Sequence, residues 1–177
     1  ELNVDIAGRI GRAFCALMQP RNVVVGEDIR LSSPSLADAL AGGLAAGGAD
    51  VLRIGQCGTE EVYFATTHLK AGGGIMVTAS HNPADWNGMK LVREESRPVS
   101  GDSGLDEIRQ IAETGRFSEP ARRGSISRVE PFGAYLQHLL GYLDLSALRP
   151  LKVVVNAGNG GAGHVIDGLE RSLPFSF

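Results

Sequence analysis

Three short apolar runs, separated by stretches with helical periodicity, constrain the fold of this chain more than any other feature. They occupy residues 22–26, 50–54 and 74–78. The first is a continuous valine-rich segment, which is typical of a strand buried on both faces of a sheet. A helix between two consecutive strands allows them to run parallel. The pattern therefore predicts an α/β fold with a layered, mostly parallel sheet and helices on both faces.

A fourth strand is predicted at residues 89–92, directly after the hairpin-type turn signal Asn87-Gly88. The short spacing between the third and fourth strands leaves no room for a crossover helix. We therefore expect one antiparallel strand at the edge of the sheet.

The first helix has a recognisable start and a candidate apolar face. Asn3 is placed to cap it, and Pro20 to end it. Helical spacing predicts that one side of this helix faces the core. The residues on that side are Ile6, Ile10, Phe14 and Leu17.

The composition changes near residue 116, where the chain becomes rich in Arg, Ser and Gly and loses its periodicity. We assign residues 1–120 to a first domain, 121–129 to a linker and 130–177 to the beginning of a second, similar domain. The elements expected in the second domain are a helix at 131–143, a strand at 151–155, a glycine loop at 158–163 and the start of a helix. The chain begins without methionine and stops in an apolar run, so we expect a fragment truncated at both ends.

Charge and composition indicate what this protein does not bind. The net charge is −3, and the only notable basic cluster is Arg122-Arg123, so nucleic acid is not an expected partner. No apolar run approaches the length that spans a bilayer. Cys15 and Cys57 fall within or at the edge of predicted elements. We interpret them as free buried thiols of a cytoplasmic protein.

A serine at the end of the third strand is the main candidate for chemistry. Ligands of open α/β sheets bind outside the carboxyl ends of the strands, and Ser80 is expected there. His81 is the natural proton carrier at neutral pH. Lys90 and Arg30 are expected near the same edge and can supply positive charge for phosphoryl transfer. A Ser-His pair on one turn is not a hydrolase dyad, and no G-x-S-x-G elbow is present.

Each of these residues also has a purely structural interpretation. For Ser80 and His81 it is a Ser-His-Asn-Pro turn without a function. Lys90 alone is more often a solvated strand residue, and Arg30 alone is more often an ion-pair partner for Asp28 or Glu27. The remaining histidines have no predicted catalytic role or no visible partners; they are His68, His138 and His164.

Residues 78–83 read T-A-S-H-N-P and are followed by N-G-M-K at 87–90. This block resembles the phosphoserine loop of the phosphohexomutases, the phosphomannomutase and phosphoglucomutase family. Residues 26–30 are similar to the Gly-x-Asp-x-Arg segment of that family, and 156–163 resemble the opening of its second domain. Residues 86–93 look most like those of bacterial phosphomannomutases.

The resemblance implies an activity and a role for each candidate residue. Family members interconvert hexose 6-phosphate and hexose 1-phosphate through a bound 1,6-bisphosphate that also acts as activator. For this chain the resemblance favours mannose, with glucose as the second candidate. By this resemblance Ser80 is the phosphoserine, and its phosphate gives one oxygen to Mg²⁺. His81 and Lys90 then assist proton transfer and charge neutralisation, and Arg30 holds phosphate at the edge of the site.

The chain departs from the family pattern in parts that the reaction needs. The Asp-Gly-Asp-x-Asp-Arg metal loop, the sugar-binding loop and the C-terminal phosphate-binding domain do not occur in the sequence. A hard cation needs about six oxygen ligands, so Mg²⁺ requires aspartates that this chain lacks. We expect the chain alone to be inactive.

Two alternatives belong to other functional classes. The loop at residues 158–163 fits G-x-G-x-x-G between a predicted strand and a helix, which would suit a dinucleotide-binding module. The other alternative is a non-catalytic, mutase-like interaction domain, although Ser80, His81 and Lys90 are all intact.

Overall fold

The computed structural model describes residues 2–158 and 160–177. Within these ranges, helices and strands alternate from the first helix to the third strand. The helices are α1 (Val4–Met18), α2 (Ser33–Ala46), α3 (Thr59–His68), α4 (Leu105–Thr114), α5 (Phe132–Leu140) and α6 (Gly163–Glu170). The strands are β1 (Asn22–Glu27), β2 (Asp50–Gln56), β3 (Gly73–Val77), β4 (Met89–Arg93) and β5 (Ile126–Arg128).

The strands form one mixed sheet in the order β4-β3-β1-β2-β5. The central strand β1 pairs in parallel with β2 and with β3, and β2 pairs in parallel with β5. Strand β4 pairs antiparallel with β3 and lies at one edge. The predicted α/β fold with an antiparallel edge strand is confirmed. The carboxyl ends of β1, β2 and β3 consequently meet at one edge of the sheet.

The sheet is buried on both faces, as the valine-rich run predicts. Val23 and Val25 pack in the larger core, to which α1, α2 and α4 contribute. Val24 points to the other face and packs with Val62 of α3. Because successive side chains of a strand alternate between faces, the three consecutive valines of β1 join the two cores.

Helix α1 confirms its predicted cap and part of its predicted core face, in which Phe14 is fully buried. The Asn3 side chain accepts a hydrogen bond from the Ile6 N–H, as a capping residue does. Ile6 and Leu17, predicted to be buried, are each 37% exposed, whereas Ala7 and Gly11 are buried. The reason is the neighbouring helix α2, whose backbone approaches α1 so closely that only small residues fit between them.

The chain divides into two compact units, Glu1–Val129 and Glu130–Phe177. The interpretation of residues 121–129 as a linker is wrong, because this segment ends in strand β5 and extends the sheet of the first unit. Arg122 and Ser125 also bind the Asp50 carboxylate at the start of β2. Such partners lie far away in the sequence, so local composition could not reveal them.

The second unit contains α5 and α6 within the range described. The strand expected at residues 151–155 is wrong: the segment makes only an isolated parallel bridge between Lys152 and Ser176. Val154 is 91% exposed. A strand needs the hydrogen bonds of a neighbouring strand along its length, and here only the short segment at Ser176 supplies them.

The two cysteines are free and buried, as predicted. Burial raises the pKa of the Cys15 thiol to about 11. The pKa of Cys57 is raised as well, mainly by burial and further by the nearby charge of Glu61. Among the described residues there is no helix long and apolar enough to cross a membrane.

Candidate active site

Ser80 is exposed just beyond the carboxyl end of β3. Thr78 and Ala79, the two residues that follow the strand, are buried, and the chain emerges at Ser80. The Ser80 N–H donates to the Thr78 hydroxyl at 2.9 Å. Ser80 has a φ of 56°, in the left-handed region that residues other than glycine seldom adopt. The surrounding contacts must offset the strain of this backbone conformation.

Local hydrogen bonds shape the segment that follows Ser80. The backbone N–H and the side-chain amide of Asn82 both donate to the Ala79 carbonyl, at 3.1 and 2.9 Å. The Trp86 N–H donates to the Pro83 carbonyl at 3.0 Å. These bonds form two consecutive turns, which keep residues 80–86 exposed at the edge of the sheet.

The side chains of His81 and Lys90 have no hydrogen bond or ion pair with any described residue. His81 is exposed beside Ser80, and Lys90 is half-buried on β4. The register of β4 sets Lys90 opposite Met76, so the two side chains share the α3 face of the sheet. Thr78 lies two residues beyond Met76 and faces the same side. His81 and Lys90 are thus available to a ligand, and their catalytic roles remain predictions.

Arg30 lies at this edge, but its guanidinium is occupied by protein acceptors. Its Nη1 donates to the carbonyls of Pro83 and Trp86, at 2.5 and 3.0 Å. Its Nη2 donates to those of Ser80 and Asn82, at 3.0 and 2.7 Å. The Nε–H binds the Asp28 carboxylate at 3.1 Å, as the structural interpretation of Arg30 anticipated. All five N–H donors are engaged, which differs from the phosphate-binding role implied by the resemblance.

Asn87 joins the serine loop to the start of α2, a role that sequence reasoning missed. Its side-chain amide donates to the hydroxyls of Ser32 and Ser33, at 2.8 and 2.9 Å. Neither Asn87 nor Gly88 has the positive φ that the expected hairpin turn requires. In the sequence, Asn-Gly indicates a local turn. It gives no sign that the Asn87 side chain contacts serines more than 50 residues away.

A group of ion pairs joins β1, β2 and α2. Arg53 of β2 binds Glu27 at the end of β1 and Asp38 of α2, each at 2.7 Å. The side chains of Arg53 and Glu27 are 17% and 12% exposed. The negative charge of Glu27 is therefore compensated by Arg53.

The other histidines make local contacts. His68 stacks on a neighbouring ring in α3. His138 shares a hydrogen bond of 2.9 Å with the hydroxyl of Tyr142, and His164 lies 2.6 Å from the Gly161 carbonyl oxygen.

The structure describes the glycine loop at residues 158–163 apart from Asn159, which lies outside the described residues. Gly158 has a φ of 59°, and the loop leads into α6 at Gly163. In the described part of the second unit, no regular strand precedes this loop. The strand–loop–helix context of a dinucleotide fingerprint is therefore incomplete.

The described residues do not form a complete magnesium site by themselves. Within residues 2–158 and 160–177, no group of three or more His, Cys, Asp or Glu side chains is placed to hold a metal ion. The Ser80 hydroxyl alone does not meet the ligand requirement of Mg²⁺. The residues present therefore do not fit the ion by themselves.

Comparisons with known proteins identify relatives over the whole chain. A phosphohexose mutase of Xanthomonas campestris pv. campestris is 58% identical over 179 residues, covering 100% of this chain and 40% of the relative. A phosphomannomutase of Escherichia coli is 57% identical, covering 97% of this chain and 38% of the relative. The chain thus spans about two fifths of the length of these proteins.

The fold has a close counterpart among solved structures. A phosphoglucomutase/phosphomannomutase family protein of Burkholderia thailandensis superposes with a TM-score of 0.87 at 35% identity. That match covers 99% of this chain and 39% of the other. The family model for phosphoglucomutase/phosphomannomutase, alpha/beta/alpha domain I, matches residues 1–119, which include the serine loop. The chain therefore belongs to the phosphoglucomutase and phosphomannomutase family.

Proposed function

We propose that the protein containing this chain interconverts hexose 6-phosphate and hexose 1-phosphate, with mannose as the principal sugar, through a phosphoryl group carried on Ser80. The observation that carries the proposal is that Ser80 is exposed at the carboxyl edge of the sheet. Its left-handed backbone is held there by hydrogen bonds to Thr78 and from Arg30. The names of the relatives support mannose. The free cysteines are compatible with a cytoplasmic enzyme.

The proposed reaction consists of two transfers at one serine. In the first, the bond between phosphorus and Ser80 Oγ breaks as phosphorus bonds to the free hydroxyl of the sugar monophosphate. The sugar hydroxyl loses a proton and Ser80 Oγ gains one. The sugar 1,6-bisphosphate then turns over, and its other phosphoryl group returns to Ser80 with the opposite proton movement. Added hexose 1,6-bisphosphate activates the enzyme because it can phosphorylate Ser80.

His81 and Lys90 are proposed to act on the same phosphoryl group. His81 is proposed to move the protons, because histidine is the side chain that most often serves as a general acid or base. Lys90 is proposed to neutralise the negative charge on the phosphoryl oxygens, because phosphoryl transfer depends mainly on positioning and on neutralising charge. Mg²⁺ is proposed to bind the phosphoserine together with aspartates outside this chain, where it would supply further positive charge.

The experiment that tests the proposal locates phosphate and activity in the full-length protein. Phosphopeptide mass spectrometry on protein from its host is expected to find phosphate at Ser80. S80A is expected to lower kcat for mannose 1-phosphate by about 1,000-fold or more. S118A changes an exposed serine elsewhere and is the matched control. An S80A enzyme with undiminished activity would refute the proposal.

The 177-residue chain is proposed to lack this activity by itself. The sequence contains no metal loop and no sugar-binding loop of the family. No conversion of mannose 1-phosphate is expected when the purified chain is incubated with Mg²⁺ and the 1,6-bisphosphate. Turnover by this piece alone would contradict the expectation.

A further inference from the structure

The Ser80 loop, residues 80–86, is held mainly by one side chain that does not belong to it. The loop is exposed along its length and has no regular secondary structure. Arg30 binds four of its seven backbone carbonyls, those of Ser80, Asn82, Pro83 and Trp86. The other hydrogen bonds that the structure describes for residues 80–86 remain within the loop or reach Thr78 and Ala79 directly before it, whereas Arg30 links the loop to the segment after β1.

Arg30 is itself held in a single orientation. The Asp28 carboxylate accepts from both the backbone N–H and the Nε–H of Arg30, each at 3.1 Å. Asp28 also accepts from the hydroxyl of Ser33, which is fully buried. The Arg30 side chain is only 11% exposed. A planar guanidinium fixed at Nε presents its other four N–H groups in a rigid fork.

The fork determines which polar groups of the loop face outward. A trans peptide unit directs its C=O and the next N–H in opposite directions, and the described chain has no cis peptide. Carbonyls gathered on Arg30 therefore turn the N–H groups of His81, Ala84 and Asn87 away from it. None of these three N–H groups donates to a protein acceptor among the described residues. The outer side of the loop thus presents hydrogen-bond donors, which suit a phosphate, while the carbonyl oxygens are sequestered.

The strained residue at the start of the loop depends on the same contact. Ser80 keeps its left-handed φ of 56° between two hydrogen bonds, one from its N–H to the Thr78 hydroxyl and one from Arg30 to its C=O. Residues in such conformations persist where their surroundings fix them from several directions. Without Arg30, one of these two restraints is lost.

We propose that Arg30 is a positioning residue, which fixes the Ser80 loop in the conformation that presents Ser80 and the outward amides to phosphate, instead of binding phosphate itself. This inference rests on the proposed function for its effect on catalysis, but the ordering of the loop does not. Lysine keeps the charge at this position but lacks the planar fork, so it cannot bond the four carbonyls and Asp28 together.

The test compares R30Q, R30K and R53Q in the full-length enzyme without sugar phosphate present. R53Q is the matched control, because Arg53 is also a partly buried arginine with two ion pairs, and it does not contact the loop. Amide hydrogen exchange at Ser80, Asn82 and Trp86, whose N–H groups are hydrogen-bonded within the loop region, is expected to rise about tenfold in R30Q and R30K. In R53Q it is expected to stay at the wild-type rate. The kcat for mannose 1-phosphate is expected to fall about 100-fold in both Arg30 variants, with little change in KM.

Three outcomes would overturn the inference. Unchanged loop exchange in R30Q together with a raised KM would mean that Arg30 binds the substrate phosphate. Wild-type activity in R30K would mean that only its charge matters. Increased loop exchange in R53Q equal to that in R30Q would mean that the loop responds to general destabilisation. Should R30Q not yield folded protein, R30K decides by the same measurements.

The two proposals fail in different ways. If S80A stays active while R30Q still loosens the loop, the phosphoserine function is wrong and the positioning role of Arg30 is correct. If S80A is inactive while R30Q leaves loop exchange and kcat unchanged, the phosphoserine function holds and the positioning role is wrong.

Discussion

Asp50, at the start of β2, joins two segments that are far apart in the sequence. Its carboxylate binds the Arg122 guanidinium through both oxygens, at 3.0 and 2.7 Å. It also accepts from the backbone N–H and the hydroxyl of Ser125, at 2.8 and 2.9 Å. These hydrogen bonds, with that of Arg122 the largest contribution, hold the pKa of Asp50 well below its usual range.

This lowered pKa makes part of the stability depend on pH. Because the folded-state pKa lies below the unfolded value of about 3.9, the ionised carboxylate stabilises the fold above about pH 4. That contribution is lost as the pH falls toward the folded-state pKa. D50N should therefore lower the urea midpoint at pH 7, and the difference from wild type should shrink at pH 3.

The control for this prediction is D102N. Asp102 is exposed and has no ion pair with any residue that the structure describes. Its substitution should leave the urea midpoint close to that of wild type at both pH values. A D50N deficit as large at pH 3 as at pH 7 would show that the charge of Asp50 does not stabilise the fold.

Individual side chains differ in how far the sequence predicts them. The cap at Asn3 and the exposure of Ser80 follow from neighbouring residues, and both agree with the structure. The hydrogen bonds from Arg30 to the loop carbonyls and those of the Asp50 carboxylate do not, since these partners lie 50 or more residues away. The sequence places Arg30 at the correct edge of the sheet. Whether its donors face a ligand or the carbonyls of the loop depends on the backbone beyond Ser80.

Helices α1 and α2 form the most extensive contact between helices in the first unit. Glycines at the contact allow the two backbones to approach closely. A Cβ on Gly43 of α2 would overlap the carbonyl group of Gly8 in α1. A Cβ on Gly11 would lie 2.6 Å from the Leu40 carbonyl oxygen. The backbones therefore touch directly, and side chains larger than hydrogen would force them apart.

Two adjacent glycines of α2 give a matched test of this contact. G43A should lower the free energy of unfolding by about 1–3 kcal/mol, because the added methyl group overpacks the contact. Gly42 faces open space, and a Cβ at this position would have no neighbouring atom within 4 Å. G42A should raise the free energy of unfolding by about 0.5–1 kcal/mol, since alanine favours the helix and restricts the unfolded chain. Urea denaturation measures both, and equal effects would contradict the close contact.

The same contact explains which elements the sequence predicted poorly. Hydrophobic periodicity locates α1 correctly, but it assigns the core to its large side chains, including Ile6 and Leu17. A close helix contact is made by small residues, whose hydropathy is weak. Similarly, β5 is a strand of three residues, all exposed, with no apolar pattern. It is a strand because it pairs with β2, about 75 residues earlier in the chain. The local periodicity of the sequence does not reveal such pairing.

The extent of the first compact unit has a direct consequence for how this chain can be divided. A boundary at residue 120, as the composition indicates, would remove β5 and the two residues that bind Asp50. A boundary at residue 129 would keep them, together with the bond from the Val129 N–H to the Arg53 carbonyl. The two boundaries therefore differ in whether β2 remains an inner strand.

We expect a chain of residues 1–129 to unfold cooperatively and a chain of residues 1–120 to be markedly less stable. The shorter chain loses the β2–β5 ladder, the Asp50 contacts and the bond from the Gly124 N–H to Ala45. At about 0.5–1.5 kcal/mol for each hydrogen bond, the loss should reach about 3 kcal/mol or more. Urea denaturation of both chains measures it. The newly exposed edge of β2 should also make the shorter chain prone to aggregation, because unpaired strand edges recruit other chains. Equal midpoints for the two chains would mean that β5 adds nothing to the first unit, and the boundary at residue 120 would then be adequate.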